Sequence, residues 1–538
     1  MKLLATLFVL VAVLAAIEAQ SQVAGPLITP YPRSVTFGST TGLLNPQKFK
    51  ITTSSSSSIL AGAIQRYSSL FFPFGNGAAS SAPAATLNIK VASASETLDF
   101  GVSENYTISA TTSSYTITAD TIYGAMRGLE TFSQLIAYTQ SSNSYSIPFL
   151  PIVINDYPRF PWRGIMIDTG RHFQPASYIM HLIEGLSYSK FNTLHWHVTD
   201  TESFGAEVPN SNVTNPYNSV AVWSTADIQA IVAHGKSYGV RVVPEFDVPA
   251  HSYSWRYGAP DMFTNCPSYY NWMDQVPMSP ASDNALDVVK SVFTEMSSLF
   301  VDSFFHTGGD ELALDCWNED PAVKAWMAQK GFSTVQTEQY FEDYFTTVLQ
   351  SLNRTKVVWN DPYSNGVALA KDTVVHVWDS TSLMQSIVND GYRAIASFDY
   401  YLNDQIPVSG QTHYEWQDTW QDFYGADPLA GISSNGHLVI GGEGCIWGEQ
   451  ADQFAVDVRV FPRALGISER LWSDESLTDV QSALTRIGAL SCRISQRGIA
   501  SGPLFPDFCL MPDDVADYLE TPRSVLSREE VLSILRAN

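Results

Sequence analysis

Basic residues are scarce in this sequence. Its 538 residues include 30 Lys and Arg against 54 Asp and Glu, so the formal net charge is −24, and the isoelectric point is near 4.7. A nucleic-acid partner needs a basic surface that pairs with phosphates, and this composition excludes that class of partner. Many carboxylates approach neutrality at about pH 4 to 5, so the composition is compatible with an acidic compartment.

Long hydrophobic runs are absent after the first nineteen residues. Residues 1–19, MKLLATLFVLVAVLAAIEA, combine one Lys, an apolar run and small residues suited to cleavage after Ala19, which is typical of a secretory signal peptide. A membrane anchor is the alternative, but the run is short for a span of ~20 residues. The sequence therefore predicts the secretory pathway, with a lysosomal or extracellular destination and no membrane span. Three sequons predict glycosylation, at Asn105, Asn212 and Asn353.

Cysteine is also scarce. The chain has 5 cysteines, and an odd number in an oxidising compartment leaves at least one unpaired. We expect Cys266 to pair with Cys316 and Cys492 with Cys509, because each pair brackets a compact segment. Cys445, in the apolar run LVIGGEGCIW, is then a buried thiol. Spacing alone does not prove this pairing.

The Pro-rich stretch INDYPRFPWRG, residues 154–164, marks a domain boundary. Upstream, alternating runs such as TLNIKVA and a segment of helical period predict a small α+β domain over residues 20–158. Downstream, residues 159–538 contain eight short apolar runs separated by helix-compatible segments. Eight buried strands alternating with helices predict a (β/α)8 barrel.

The predicted barrel strands end in polar and aromatic residues, and active sites are built at the carboxyl ends of barrel strands. A ring of carboxylates with several tryptophans suits a sugar, whose hydroxyls need acceptors and whose C–H faces need aromatic platforms. For any single tryptophan, core packing is an equal alternative. The strand-end residues are Arg163, Asp168, His195, His197, Asp200, Glu245, Asp247, Asp310, Glu311, Trp359, Asp361, Trp378, Asp379, Tyr400, Tyr401, Trp447 and Glu449, with His251 in a following loop.

Asp310 and Glu311 are adjacent carboxylates in FFHTGGDE. Neighbouring side chains on a strand diverge, so both reach the barrel mouth only because the strand is ending. In such a pair one carboxyl group tends to keep its proton while the other stays ionised, which gives a proton donor beside a fixed negative charge. A helix N-terminal acidic pair is the structural alternative.

His195 and His197 lie at alternate positions of HWHVTD and would face the same side of a strand. They could bind a metal, which would make the chain a metal-dependent hydrolase on the same barrel. No HExxH or comparable ligand pair supports that site elsewhere. The alternative is that the histidines hydrogen-bond neighbouring carboxylates or pack in the core.

Eight motifs together resemble the β-N-acetylhexosaminidases of glycoside hydrolase family 20, among them the lysosomal hexosaminidase subunits. The resemblance covers essentially the whole mature chain and implies an exo-acting enzyme that removes terminal N-acetylglucosamine or N-acetylgalactosamine with retention, using the substrate's acetamido group as nucleophile. The motifs are PWRGIMIDTGRHF, FNTLHWHVTD, PEFDVPAHSYSW, HTGGDE, VVWND, HVWD, YYLND and GGEGCIWGE.

The resemblance also implies a role for individual residues. Glu311 would be the acid/base and Asp310 would orient the acetamido group, which Tyr401 would hydrogen-bond. Asp200 and His251 would support the acid/base. The remaining implied roles are in substrate binding, with Trp359, Trp378 and Trp447 walling the sugar and Arg163 and Glu449 binding its hydroxyls.

The family resemblance implies no metal or cofactor, a glycan partner and a homodimer, and it agrees with the two predicted cysteine pairs. A catalytically silent glycan-binding relative is the non-enzyme alternative, although it would not need Asp310, Glu311 and Tyr401 intact. Asp404 stands where a subunit type that accepts anionic sugars has a basic residue. We therefore expect like-charge repulsion to disfavour sulfated substrates.

Overall fold

The structure is a computed structural model that describes residues 25–77, 82–259, 261–403 and 419–512. The predicted signal peptide and Asp404 lie outside these residues. The first domain is an α+β unit, and the second is a closed parallel barrel of eight strands with helices around it. Both parts of the predicted fold class are confirmed. Within the described residues, no helix is long and apolar enough to cross a membrane.

The first domain has one mixed sheet with the strand order β1-β7-β4-β5-β3-β2, and β6 pairs with β7. Residues alternate between buried and exposed along β4 and β5, as expected for strands with one face on the core. Its elements are β1 (Ser34–Leu44), β2 (Phe49–Thr53), α1 (Ser58–Leu70), β3 (Ala85–Val91), β4 (Tyr106–Ala110), β5 (Tyr115–Ala119), α2 (Ile122–Leu135), β6 (Ala137–Thr139) and β7 (Ser144–Asp156).

The barrel strands follow the eight predicted runs, in the order β10-β11-β12-β13-β14-β15-β8-β9. The predicted boundary at residue 158 lies between β7 and β8. The strands are β8 (Trp162–Asp168), β9 (Thr193–Thr199), β10 (Arg241–Phe246), β11 (Phe304–His306), β12 (Thr355–Trp359), β13 (Val374–Val377), β14 (Arg393–Ala396) and β15 (Val439–Ile446).

Helices cover the outer face of the barrel, so every residue of β8 and β9 is buried. These helices are α3 (Ala176–Tyr188), α4 (Thr225–Tyr238), α5 (Ala285–Leu299), α6 (Pro321–Lys330), α7 (Thr334–Ser351), α8 (Asp361–Ser364), α9 (Thr381–Asn389), α10 (Trp420–Gly425), α11 (Val456–Val460), α12 (Arg463–Trp472) and α13 (Val480–Gln496). Short 3₁₀ turns are Pro46–Lys48, Gln140–Ser142, Tyr253–Tyr257, Pro267–Tyr269, Met273–Gln275, Leu314–Asn318 and Gly436–Leu438.

The two domains share a buried polar interface at the amino end of the barrel. Every residue of α2 is buried, and Arg127 on this helix donates hydrogen bonds to backbone carbonyls of the barrel, 3.0 Å from Phe191 O and 2.8 Å from Gly239 O. Asp156, at the end of β7, accepts from the indole of Trp472 at 3.0 Å and lies 3.0 Å from Nζ of Lys190. The barrel therefore sits on the first domain through directional contacts as well as apolar ones.

Both predicted disulfides are confirmed, Cys266–Cys316 and Cys492–Cys509, and Cys445 is a buried free thiol. The first bond joins the loop after β10 to the loop after β11, and the second ties α13 to the segment that follows it.

Candidate active site

The Asp310–Glu311 pair lies in a tight turn directly after β11. Gly308 has a φ of +66°, and a Cβ atom there would lie 1.8 Å from Oδ1 of Asp247. The same carboxylate oxygen accepts a hydrogen bond from the N–H of Gly309 at 2.8 Å. Only glycine fits this turn, because any side chain would displace the carboxylate that holds it. The two glycines thus carry the chain around Asp247 and deliver both carboxylates to the barrel mouth.

Glu311 presents its carboxylate at the mouth, with a side-chain exposure of 44%, and its Oε2 lies 3.4 Å from Nε2 of His251. Its backbone is in the left-handed region, with a φ of +49°, and its N–H donates to Oδ1 of Asp361 at 3.1 Å. The hydrogen bond and charge of His251 hold the pKa of Glu311 below its usual value despite partial burial.

Asp200 supports His251 from the other side of the imidazole ring. Its Oδ2 lies 3.3 Å from Nδ1 of His251 and 3.0 Å from Nη1 of Arg171. Burial raises the pKa of Asp200, but Arg171 and His251 outweigh burial and hold it well below the usual range. Burial lowers the pKa of His251, but Asp200 and Asp310 raise it well above its usual value. His251 is thus an imidazolium held between two carboxylates.

Asp310 is buried, with 8% exposure, and its Oδ1 has no hydrogen-bond partner among the described residues. Burial and the charge of Asp310 raise the pKa of Asp247 well above its usual value. The same two causes raise the pKa of Asp361 to about 6. We expected one member of the adjacent pair to keep its proton. Instead, the raised pKa values are those of Asp247 and Asp361, while that of Glu311 is lowered.

Three tryptophans lie together at the carboxyl end of the barrel, but they are not equally exposed. Trp359 is 1% exposed and donates to Oε1 of Glu245 at 2.8 Å. Trp378 and Trp447 are partly exposed, and the indole of Trp378 donates to Oδ2 of Asp361 at 2.8 Å. The rings of Trp359 and Trp447 lie 5.9 Å apart. Trp359 therefore forms the floor of the aromatic cluster, and the other two form its accessible walls.

Tyr401 is partly exposed and forms an isolated parallel bridge with Cys445 on β15. This bridge brings the segment after β14 to the carboxyl end of the barrel. Glu449 is exposed beyond the end of β15. Although its side chain reaches solvent, partial desolvation by the surrounding residues raises the pKa of Glu449 above its usual value, and the nearby Arg171 opposes this rise.

The prediction for Arg163 is wrong, because this residue lies at the amino end of β8, opposite the mouth. Its side chain is fully buried, and Nη2 contacts both carboxylate oxygens of Glu104 at 2.7 and 2.6 Å. The basic residue at the mouth is Arg171, which lies 3.2 Å from Asp168 and 5.2 Å from the ring of Trp447. Its position after the carboxyl end of β8, in the motif IDTGRHF, was the signal that could have identified it.

The histidines of HWHVTD lie between carboxylates. Nδ1 of His197 is 2.8 Å from Glu245 and Nε2 is 2.9 Å from Asp200, while Nδ1 of His195 is 2.7 Å from Glu443. Some groups also have spacings that would suit a metal ion, namely His195-Glu245-His306, His195-His376-Glu443, His197-Glu245-Asp247 and His251-Asp274-Glu311. The contacts of His195 and His197 match the expected hydrogen bonding to carboxylates.

All three sequon asparagines, Asn105, Asn212 and Asn353, have exposed side chains. Exposure is required for a glycan, so glycosylation at these positions stays a prediction.

A model of the glycosyl hydrolase family 20 catalytic domain matches residues 160–475, and a model described as beta-acetyl hexosaminidase like matches residues 28–135. The chain belongs to glycoside hydrolase family 20. It is therefore a glycoside hydrolase.

Several members of the family are similar over most of their length. Beta-hexosaminidase subunit A1 of Dictyostelium discoideum is 46% identical over 515 residues, which cover 94% of this chain and 95% of the relative. The mouse beta-hexosaminidase subunit alpha is 34% identical, over 76% of this chain and 77% of the relative. The crystal structure of Flavobacterium johnsoniae chitobiase has a TM-score of 0.76 at 24% identity, covering 88% of this chain and 73% of that chain.

Proposed function

We propose that this family member is an exo-acting β-N-acetylhexosaminidase. It hydrolyses terminal non-reducing N-acetylglucosamine or N-acetylgalactosamine residues with retention, and the substrate's acetamido oxygen is the nucleophile. The observation that carries this proposal is the buried Oδ1 of Asp310, which has no hydrogen-bond partner in the described part of the chain and lies beside the exposed carboxylate of Glu311. An acetamido N–H would satisfy that oxygen.

In the first step Glu311 donates its proton to the glycosidic oxygen as the bond between that oxygen and the anomeric carbon breaks. The acetamido carbonyl oxygen attacks the anomeric carbon and forms a cyclic oxazolinium ion, whose positive charge Asp310 stabilises. Tyr401 orients the same acetamido group by a hydrogen bond.

In the second step the carboxylate of Glu311 takes a proton from a water molecule that attacks the anomeric carbon and opens the ring. His251, 3.4 Å away, stabilises the carboxylate in the interval between the two steps. The lowered pKa of Glu311 means that its acid form is lost as the pH rises through that value. We therefore expect activity to be highest under acidic conditions.

For binding, we propose that Trp378 and Trp447 flank the N-acetylated sugar above Trp359. Arg171 replaces Arg163 as the cation that contacts the terminal sugar's hydroxyls, with Glu449 as the accepting carboxylate. Support for this replacement is the position of Arg171 at the mouth, 3.0 Å from Asp200.

The test compares initial rates on two aryl β-glycosides, an N-acetylglucosaminide and a glucoside with a plain 2-hydroxyl. We expect only the first to be cleaved, and Asp310→Asn and Glu311→Gln each to lower kcat by roughly 10²- to 10⁴-fold. Asp343→Asn, at an exposed carboxylate of α7, is the control and should be unchanged. Comparable cleavage of both glycosides would mean that a protein carboxylate is the nucleophile.

A metal-dependent hydrolase is the second candidate, because His251, Asp274 and Glu311 at the mouth have ligand atoms within 4.8 Å of one another. Sustained turnover after exhaustive EDTA treatment would exclude it. Binding of N-acetylglucosamine without any turnover would instead indicate a silent glycan-binding relative.

We also propose that the chain passes through the secretory pathway to a lysosome or the cell exterior and assembles as a homodimer. Light scattering on the purified chain tests the dimer. We further propose that Asp404 repels anionic sugars, so a sulfated N-acetylglucosaminide should be cleaved less efficiently than the neutral one. Equal efficiency would refute this repulsion.

A further inference from the structure

A line of buried imidazole and carboxylate groups continues from His251 into the barrel interior. Oδ2 of Asp200, 3.3 Å from Nδ1 of His251, also lies 2.9 Å from Nε2 of His197. The other ring nitrogen of His197 lies 2.8 Å from Oε2 of Glu245. The support of the acid/base therefore extends two further groups below the mouth.

The line goes on toward the amino end of the barrel through His195. Nε2 of His195 lies 3.0 Å from the same oxygen of Glu245, and Nδ1 lies 2.7 Å from Oε1 of Glu443. The other oxygen of Glu443 accepts from the indole N–H of Trp162, the first residue of β8, at 2.9 Å. Imidazole and carboxylate groups alternate at every step from Glu443 to Glu311.

Charge also alternates along this line. Burial lowers the pKa of His195, but Glu443 and Glu245 outweigh burial and raise it to about 9. For His197, Glu245 and Asp200 outweigh burial in the same way. Burial raises the pKa of Glu245, but the histidines around it hold it well below its usual value. At acidic and neutral pH both imidazoles are cations beside an ionised carboxylate.

Two further histidines lie against the line without continuing it. His306 stacks on His195 with ring centroids 4.6 Å apart, and its Nδ1 accepts from Gly308 N–H at 3.0 Å. His376 is fully buried, and neither of its ring nitrogens has a hydrogen-bond partner among the described residues. Burial lowers the pKa of His376 well below its usual value, so it carries no charge. His376 lies beside the line, 3.9 Å from Oε1 of Glu443, without carrying a charge, so it is a matched control for a buried, neutral histidine.

We propose that the alternating groups of the barrel interior are positioning residues that set the proton affinity of Glu311. This proposal rests on Glu311 being the acid/base. The residues of the line that have this role are His195, His197, Glu245 and Glu443, and they act through Asp200 and His251.

The proposal predicts the direction of each change. Removing the cation at His195 makes the line of buried groups more negative, so Glu311 should hold its proton to a higher pH. Removing the carboxylate of Glu443 makes the line more positive, so Glu311 should lose its proton at a lower pH. At an effective dielectric constant of about 20, one unit charge at a distance of ~15 to 20 Å shifts a pKa by about half a unit to one unit. The other charged groups that face Glu311 are Arg171, Asp310, Asp361 and Asp274, and the variants leave them unchanged.

The experiment measures kcat/KM against pH on the neutral aryl N-acetylglucosaminide, with KM and the melting temperature recorded for each variant. His195→Gln should move the alkaline limb upward by about half a unit or more, with KM changed little. Glu443→Gln should move it downward, and it also serves if His195→Gln does not fold. His376→Gln should leave the limb within about 0.2 unit of the unmodified protein.

If the alkaline limb of kcat/KM lies at the same pH for His195→Gln, Glu443→Gln and the control, the proposed role of the line is wrong, whatever happens to stability. A purely structural role lowers the melting temperature without moving the pH profile. The proposed function fails separately, if Glu311→Gln keeps its activity. The proposal is supported if the alkaline limb moves in opposite directions for His195→Gln and Glu443→Gln and does not move for the control.

Discussion

Glu338 on α7 is a buried carboxyl group whose protonation should set the stability of the barrel. It is 1% exposed, its Oε2 has no hydrogen-bond partner among the described residues, and its Oε1 accepts from Nδ2 of Asn365 at 3.1 Å. Burial, with the charges of Glu342 and Asp361, raises its pKa from 4.5 to about 8. The folded chain therefore keeps a proton that the unfolded chain releases.

The sign of the stability change follows from this difference. Stability from Glu338 is fully present below the unfolded value of 4.5 and is lost as the pH rises toward the folded value of about 8. A pH of 7.5 lies about 3 units above the unfolded pKa, and at 1.36 kcal/mol per unit this difference corresponds to about 3 to 5 kcal/mol of lost stability. Glu338→Gln removes this ionisation, and its unpaired amide costs about 1 to 3 kcal/mol.

The assay is thermal unfolding of Glu338→Gln at acidic pH and at about pH 7.5. We expect the variant to have a lower melting temperature than the unmodified protein at acidic pH. This difference should shrink as the pH rises. Asp343→Asn, at an exposed position on the same helix, controls for removal of a carboxylate from α7. If the difference in melting temperature between Glu338→Gln and the unmodified protein does not change with pH, the assigned pKa is wrong.

Other substitutions test the turn and the two arginines. Gly308→Ala should abolish most activity, because the added Cβ overlaps Asp247, and a variant with normal kcat would contradict the packing of this turn. Asp247→Ala should lower kcat by roughly 10-fold or more while Asp247→Asn, which still accepts from the turn, retains more activity, as steady-state kinetics would show. Arg171→Gln should raise KM for the aryl glycoside by roughly 10-fold or more, whereas Arg163→Gln should destabilise by about 3 to 5 kcal/mol, since Glu104 loses a buried partner, and leave KM unchanged. The opposite pattern would return the sugar contact to Arg163.

The barrel was predictable because its eight strands are short, buried and regularly spaced, and the strand-end rule selected Asp200, Asp310 and Glu311 correctly as residues of the mouth. The rule failed for Arg163 because apolar periodicity locates a strand without locating both of its ends. Arg163 and Asp168 stand five positions apart on one strand and therefore at opposite ends of the barrel.

The distribution of protons was not predictable from adjacency. One of Asp310 and Glu311 was expected to keep its proton while the other stayed ionised, but the raised pKa values are those of Asp247, on the loop after β10, and Asp361, after β12. A pKa depends on burial and on neighbours that the fold brings from distant segments, and linear spacing contains neither. The aromatic cluster shows the same limit, since Trp359 and Trp378 have similar sequence contexts and different exposure.

Trp472 has a consequence for how this architecture can be altered. The residue belongs to a barrel helix, yet it is fully buried in the hydrophobic core of the first domain, and its indole lies 4.4 Å from Nζ of Lys190 and 4.8 Å from the guanidinium of Arg163. A chimera that exchanged residues 20–158 for the same domain of a relative would inherit a core built for another chain's tryptophan. Recombination between relatives is therefore expected to succeed only when the exchanged piece and the segment around Trp472 come from the same parent.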